Sequence, residues 1–519
     1  MPVYQQGVIN TTALVVPNLY VQIVAPSALT LNGVPSNMIG VVGTAQWGPK
    51  NTSVIVGNMA QFSTNFGSIQ ARKYDMGTQV ATAVQQGANN FRCVRVTDGT
   101  DAAAASVGVA TCITFTAVYT GTLGNSLSAA LSTGSKASTF KFTVGLPGMV
   151  PEVYDNIAGT GNAFWVALAA AINAGNSVSR GPSALITATS AAGTTAPTAQ
   201  AFTFTGGTDG VATITAAVLM GADGLTRTGM YSLRGQGCSI GVLADADTST
   251  AWGTIDAYGL SEGTYMIQVA PAGIAISNGT TGAVDVKNTA ALDSYSSKFM
   301  HGDWVWWNDP ANQFIRMVSP QGFIAGRLAN LSPEQSSLNK PIYGVVGTQK
   351  SGLPGTQAQQ VYSQAELAAL IGAGIDVIVN PSVGGNYWGT ASGHNSSSNA
   401  ATNGDNYTRM TNYIAYTLNA GMGGYVGRVV NSTLFMNITS TLMSFFGNLT
   451  RQGLLGTPDG TLAYSVVCNA SNNPQSRTGL GYVQADVTVR YLAINEKFIV
   501  NVQGGQTVVV MQSAAPQQG

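Results

Sequence analysis

The stretch GYVQADVTVRYLAINEKFIVNVQGGQTVVV, residues 481–510, decides how this chain is read. Val483 to Leu492 and Lys497 to Val502 alternate apolar and polar residues with the period of two that marks a strand. Gly504 and Gly505 then make a hinge. Val508, Val509 and Val510 form a short β-branched segment before a mostly polar end, SAAPQQG. A strand carries N–H and C=O groups along both edges, and these need a ladder. A strand that trails past a glycine hinge has no obvious partner in its own domain. The physical solution is to extend a neighbour's sheet. The stretch therefore predicts a subunit built for assembly rather than for catalysis.

The opposite end reads the same way. Residues 1–25 are apolar with Gln and Asn interspersed and are broken by Pro17. They predict an extended arm with Val8, Ile9, Leu14, Val15 and Val16 as its apolar contacts. Between the arms the pattern changes several times. Residues 26–98 read strand–helix–strand, with strands at Met38–Gly43 and Phe91–Val96 and a helix over Met76–Gln86, which is an α/β unit. Residues 99–212 are rich in Ala, Thr, Ser and Gly and open and close at Asp-Gly turns, as an inserted β-rich outer domain would. Strands are expected there at Cys112–Tyr119, Phe140–Val144, Ala184–Ala188 and Phe202–Thr205, with a helix over Ala163–Ala174.

Residues 213–394 return to alternation as a central α/β domain. Ser239–Leu243 and Tyr265–Val269 read as strands, Thr248–Gly259 and Thr289–Lys298 as helices. Trp304–Trp307 pairs with Phe314–Val318 across an Asn308-Asp309-Pro310 turn. Ser332-Pro333-Glu334-Gln335 and Ser363-Gln364-Ala365-Glu366 carry helix-start signals, and Asp376–Asn380 reads as a strand. Residues 395–503 read as a C-terminal α+β domain with helices at Thr408–Asn419 and Thr439–Thr450. Residues 504–519 form the C-terminal arm. The expected class is thus multidomain, α/β and α+β, with extended N- and C-terminal arms.

Composition supports assembly. Only 8% of the 519 residues are charged, with 22 Lys+Arg against 22 Asp+Glu. An ordinary soluble domain carries about 25%. So few charges give weak mutual repulsion and favour association. The balanced charge has no basic stripe and argues against nucleic acid. The opening MPVYQQGVINTT has no basic region or apolar core, so no signal peptide is expected. No apolar run reaches the ~18 residues of a membrane span. Cys93, Cys112, Cys238 and Cys468 are scattered and read as small buried hydrophobes rather than zinc ligands.

Motifs for chemistry fail on spacing or context. Gly43–Lys50 approaches a phosphate loop, but Pro49 adds a residue and removes a donor. Asp245-Ala246-Asp247-Thr248-Ser249 lacks the glycine and the final glutamate of a calcium loop, and Asp247 reads better as a helix cap. Gly237-Cys238-Ser239-Ile240-Gly241 matches a nucleophile elbow, yet Ser239 opens a strand instead of a sharp turn into a helix. His301 and His394 have no metal-ligand spacing around them. The Trp-rich segment at 304–307 reads as core packing before it reads as a sugar platform. No enzyme activity, cofactor or metal is expected. Arg409, Arg428, Arg477 and Arg490, with Asp486 and Glu496, are candidate inter-subunit or tube-facing charges.

Several stretches together resemble the tail sheath proteins of contractile-tailed bacteriophages. VPNLYVQIVAPS followed by MIGVVGTAQWGP resembles the family's opening, and FRCVRVTDGT its next core strand. GGTDG at 206–210 resembles the junction after the insertion. PQGFIAGRLANL at 320–331, YTRMTNYIAYTLNAG and VTVRYLAINEKFIVNV resemble later segments in the family's order. Where many members have paired arginines at the start of the C-terminal helix, this chain has Arg409 followed by Met410. The resemblance implies a central domain of subtilisin-like fold without protease activity. It implies six-fold rings stacked helically around a tail tube and joined by strand exchange between arms, with contraction driving the tube through a host envelope. It also implies contacts to tube, baseplate and tail terminator proteins, with no nucleic acid and no membrane insertion. The place would be a virion tail, assembled in the bacterial host cytoplasm. The same signals fit a phage-tail-like bacteriocin or another contractile injection particle, and less well a capsid-type protein.

Overall fold

The computed structural model describes residues 3–6, 16, 20–23, 31, 33–177, 180–356 and 360–502. The expected arm and hinge residues Val8, Ile9, Leu14, Val15, Gly504, Gly505 and Val508–Val510 lie outside the described residues.

Apolar runs build the central sheet. Its six strands lie in the order Ser297–Met300, Tyr265–Val269, Ile240–Leu243, Ile39–Gly43, Phe91–Arg95 and Ser53–Val56. The first five are parallel, and Ser53–Val56 closes the edge antiparallel. Parallel strands are covered on both faces, which is why IGVVG and YMIQV are buried throughout. One face packs Ile39, Val41 and Ile267 against Val80, Phe323 and Leu328 of helices Met76–Gln85 and Gln321–Ala329. The other packs Val42 and Met266 against Ile255 and Tyr258 of helix Ser249–Glu262.

The two helices on the first face approach closely because of two glycines. A Cβ on Gly326 would lie 2.5 Å from Ala83 Cα, and one on Gly322 would lie 2.1 Å from Thr82 Oγ1. This gives a physical reason for the glycine spacing in PQGFIAG.

The chain leaves the central sheet after Phe91–Arg95 and comes back to it at Gly210, whose carbonyl accepts from Asp98 N–H at 2.9 Å. Ala102 then pairs with Thr208 and Ala105 with Thr205. Buried Arg95 ties this neck to the core, donating to Gly48 O at 2.9 Å and Thr120 O at 2.7 Å. Beyond the neck, a four-stranded and a three-stranded sheet enclose a separate core with helix Gly161–Ala174, around Phe115, Phe142, Trp165 and Phe202.

Several expectations need correction. The helix expected at Thr289–Lys298 is instead Ala283–Thr289, and Lys298 lies in the buried strand Ser297–Met300. Ser332–Gln335 forms a single turn, with Gln335 N–H on Ser332 O at 3.0 Å, because no apolar helical period follows it. Asp376–Asn380 shrinks to the two-residue strand Ile378–Val379. Asp247 does not cap its helix; its carboxylate takes Lys73 Nζ at 2.9 Å, and Thr248 holds the cap position without a side-chain bond. Lys497–Val502 is not in a strand. The Ser363–Glu366 capping box has both halves in place. Trp307 is buried in the core cluster, as the packing reading had it.

Candidate assembly interface

The C-terminal part of the described chain is built on two amphipathic helices. Asp405–Met422 carries Asp405 in its first turn, where an anion meets the positive end of the helix dipole. Ser432–Arg451 begins at Asn431, whose side chain accepts from Leu434 N–H at 2.8 Å. Leu434, Ile438, Leu442, Phe445 and Leu449 recur at helical spacing and fill one hydrophobic cluster with Met410 and Ile414.

Against the second helix lies a sheet of only two strands, Tyr464–Val467 and Asp486–Val489, antiparallel with Tyr464 opposite Val489. Tyr464 and Val466 turn inward, with the Tyr464 ring 5.7 Å from that of Phe446. Among the described residues no third strand joins this pair; Tyr491, just past the second strand, bridges Leu455, and no strand lies on the outer edge of Tyr464–Val467. Beside Tyr464–Val467 runs a groove of about 1130 Å³. Phe435, Met436 and Met443 of the helix line it opposite Tyr464 and Val466. Two of its methionines are well exposed, and methionine is the side chain that best adapts to a second surface.

The segment after the sheet is held, then released. Asn406 Nδ2 donates to Leu492 O at 2.9 Å, and Glu496 Oε1 lies 2.7 Å from His394 Nε2. Beyond these two contacts Phe498, Ile499, Val500 and Val502 are 81%, 80%, 64% and 86% exposed. An alternating apolar segment thus has no cover from its own chain's described residues.

At the other end, Val3–Gln6 pairs in parallel with Tyr20–Ile23, and neither strand joins another sheet among the described residues. Val16 is exposed. Leu31 packs with Met410 and Ile414, and Val34 N–H donates to Thr417 Oγ1 at 3.3 Å. The N-terminal stretch is therefore anchored on the first C-terminal helix, not on the core sheet alone.

The candidate charges separate into two kinds. Arg409 is buried and donates to Leu331 O at 2.8 Å and Ser332 O at 2.9 Å, so it clamps the helix to the core within one chain. Burial pulls its guanidinium down to about 10. This position is not on the outer surface of the chain, contrary to its reading as an inter-subunit or tube-facing charge. The others are exposed or at the rim. Arg428 donates to Gly424 O at 2.9 Å and stacks on Tyr425, while Arg477 bonds Gln484. Arg490 stands exposed at the end of its strand. Asp486 accepts from Gln484 at 2.6 Å and Asn472 at 2.9 Å, which hold its carboxyl below the ordinary range.

The sequence marks the strand Tyr464–Val467 only by the weak alternation of LAYSVVC. The geometry offers no hydrolytic centre at the motifs singled out. Ser239 Oγ donates to Met38 O at 3.0 Å, and His394 faces Glu496. Among the described residues no cluster of three His, Cys, Asp or Glu could hold a metal, and no helix is long and apolar enough to cross a membrane.

No protein-family model matches the sequence, and no curated protein matches it. Solved structures do. A sheath tail protein from Desulfitobacterium hafniense superposes with a TM-score of 0.55 at 14% identity, covering 86% of this chain and 93% of that one. A sheath tail protein from Listeria innocua gives 0.60 at 14%, covering 85% and 90%. The helical sheath of the anti-feeding prophage in its contracted state gives 0.53 at 12%, covering 95% and 99%. The chain has the fold of these sheath proteins over nearly its whole length.

Proposed function

We propose that this chain, with its sheath-protein fold, is the repeating subunit of a contractile sheath in a phage tail or a tail-like injection particle. Copies assemble as six-fold rings stacked into a helical cylinder around a tube. The exposed Phe498–Val502 segment and the chain beyond it leave one subunit and extend the Tyr464–Val467 edge of another. Apolar side chains of the incoming strand fill the groove lined by Met436 and Met443. The N-terminal arm does the same for a second neighbour. Main-chain ladders keep the mesh connected while the bodies rotate and slide, and the glycine hinge absorbs the movement. Contraction exchanges a metastable lattice for one with more buried interface and drives the tube forward. A baseplate contact holds the trigger.

The observation that carries this reading is a two-stranded sheet whose Tyr464–Val467 edge has no described strand on it and lies beside an apolar groove, in a chain whose own Phe498–Val502 segment is exposed. Electron microscopy of the purified protein tests it. Hollow cylinders are expected from the full chain, and monomers or disordered aggregates from a chain lacking residues 504–519. Cylinders unchanged by that deletion refute the role of the arm, and closed shells point to a capsid-type protein instead.

A further inference from the structure

The first charged side chain in the sequence is Lys50, so the N-terminal arm carries none. Within the arm Val3–Gln6 lies parallel to Tyr20–Ile23, with Val3 opposite Tyr20 and Gln6 opposite Ile23. The connection between them, residues 7–19, meets the roughly dozen residues that a parallel crossover needs. The arm therefore returns along itself.

This pair stands apart from every other sheet. Neither strand has a second strand beside it among the described residues. Parallel strands normally belong to larger sheets covered on both faces, and a ladder of only two strands is marginal in water. No charge on either strand blunts the outer edges, which is a common protection of an edge against another chain. The pairing thus covers one edge of each strand and leaves the other edges open to a stronger ladder.

The pairing also sets the reach of the arm. Leu31 anchors it by packing with Met410 and Ile414. Fully extended, the chain from Leu31 back to Val3 spans about 90 Å at ~3.3 Å per residue. With Val3 opposite Tyr20, the same strand stays within about 40 Å of that anchor. Opening the pair more than doubles the radius at which Val3 meets another copy.

We propose that the pair is a self-clasp. In the unassembled chain Val3–Gln6 closes on Tyr20–Ile23 and keeps the uncharged arm from joining stray strand edges. On assembly this ladder opens and the arm crosses to a neighbouring copy. The crossing rests on the sheath reading, whereas the closed form in the free chain does not.

The test locks the clasp. Tyr4 and Val21 stand opposite each other in the register, and paired strand residues lie within the ~4.4–6.8 Å between Cα atoms that a disulfide needs. The full-length chain with Tyr4→Cys and Val21→Cys is oxidised while dilute and unassembled; the native cysteines are buried. A disulfide inside single chains is expected, with the thermal midpoint of the body unchanged. Electron microscopy should then show no cylinders from the oxidised chain, and reduction should restore them. Cylinders as abundant from the oxidised chain as from the reduced one overturn the inference, as does a disulfide that does not close inside single chains. Gln5→Cys with Gln22→Cys, the next pair in the register, repeats the lock if the first substitutions block assembly when reduced. The sheath reading fails separately, as a parent chain that forms no cylinders, and closure of the disulfide in the dilute chain then decides the clasp alone.

Discussion

Lys298 and Asp405, 107 residues apart, meet with Nζ 3.1 Å from Oδ1 and neither side chain exposed. Asp376 Oδ2 lies 2.7 Å from the same ammonium, and Tyr265 and Ser337 donate to Asp405. Burial works against the charged lysine, but the two carboxylates outweigh it and hold Lys298 above its ordinary value. The edge strand of the core is thereby welded to the first turn of the C-terminal helix. In the proposed sheath the core sheet and this helix would move as one body, with the arms taking up the strain of contraction.

Replacing Lys298 by Met leaves two buried carboxylates without a counter-charge. The expected loss is about 3–5 kcal/mol, the cost of breaking one side of a buried pair. Urea unfolding followed by tryptophan fluorescence measures it. Adding Asp405→Asn should return part of the loss, and a Lys298→Met protein as stable as the parent contradicts the weld.

Gly326→Val tests the helix contact. The added side chain meets Ala83 backbone within 2.5 Å of the new Cβ, where nothing can yield cheaply. Overpacking of this kind costs about 1–3 kcal/mol or more. A lower thermal midpoint is expected, and an unchanged one means the helices separate without penalty.

Asp75 supplies a pH dependence. It caps helix Met76–Gln85, accepting from Thr78 N–H at 2.7 Å, and burial raises its carboxyl to about 7. Its folded value lies above the unfolded one, so its contribution to stability is fully present below about pH 4. It is lost as pH rises through 7. Asp245 is raised in the same direction by burial. Asp75→Asn, which still caps, should flatten the stability profile between pH 4 and 7. A slope identical to the parent's places the titration elsewhere.

Ile499→Asp separates folding from assembly. The side chain is exposed in the single chain, so thermal stability should stay within about 0.5 kcal/mol of the parent. Sedimentation should show assembly lost, because a charge enters the apolar strand that docks. Full assembly by this variant contradicts the docking.

The core was legible in the sequence because parallel strands are continuous apolar runs. Ile39–Gly43, Phe91–Arg95, Ile240–Leu243 and Tyr265–Val269 all stand where those runs predict. Strands Ala103–Val109, Ser128–Thr133 and Glu152–Ile157 are not evident in the sequence. The first two are made largely of Ala and Ser, whose small side chains give little periodic signal. Lys298 reads as a polar helix residue until its partners at 376 and 405 are known, and those are distant in sequence. Arg409 misled for the same reason, since its acceptors are backbone carbonyls that no side-chain pattern marks. Lys497–Val502 has the alternation of a strand, and its ladder is absent from its own chain's described residues.

A mixed cross-linking experiment tests strand exchange most directly. One variant carries Ser465→Cys on the exposed face of the acceptor strand, and a second carries Val509→Cys in the C-terminal arm; the four native cysteines are buried. The two are mixed unassembled, allowed to assemble and oxidised. The proposal predicts covalent heterodimers in the mixture. Their absence, with a cross-link forming only inside single chains that carry both substitutions, would show the arm folded back on its own body and contradict the account.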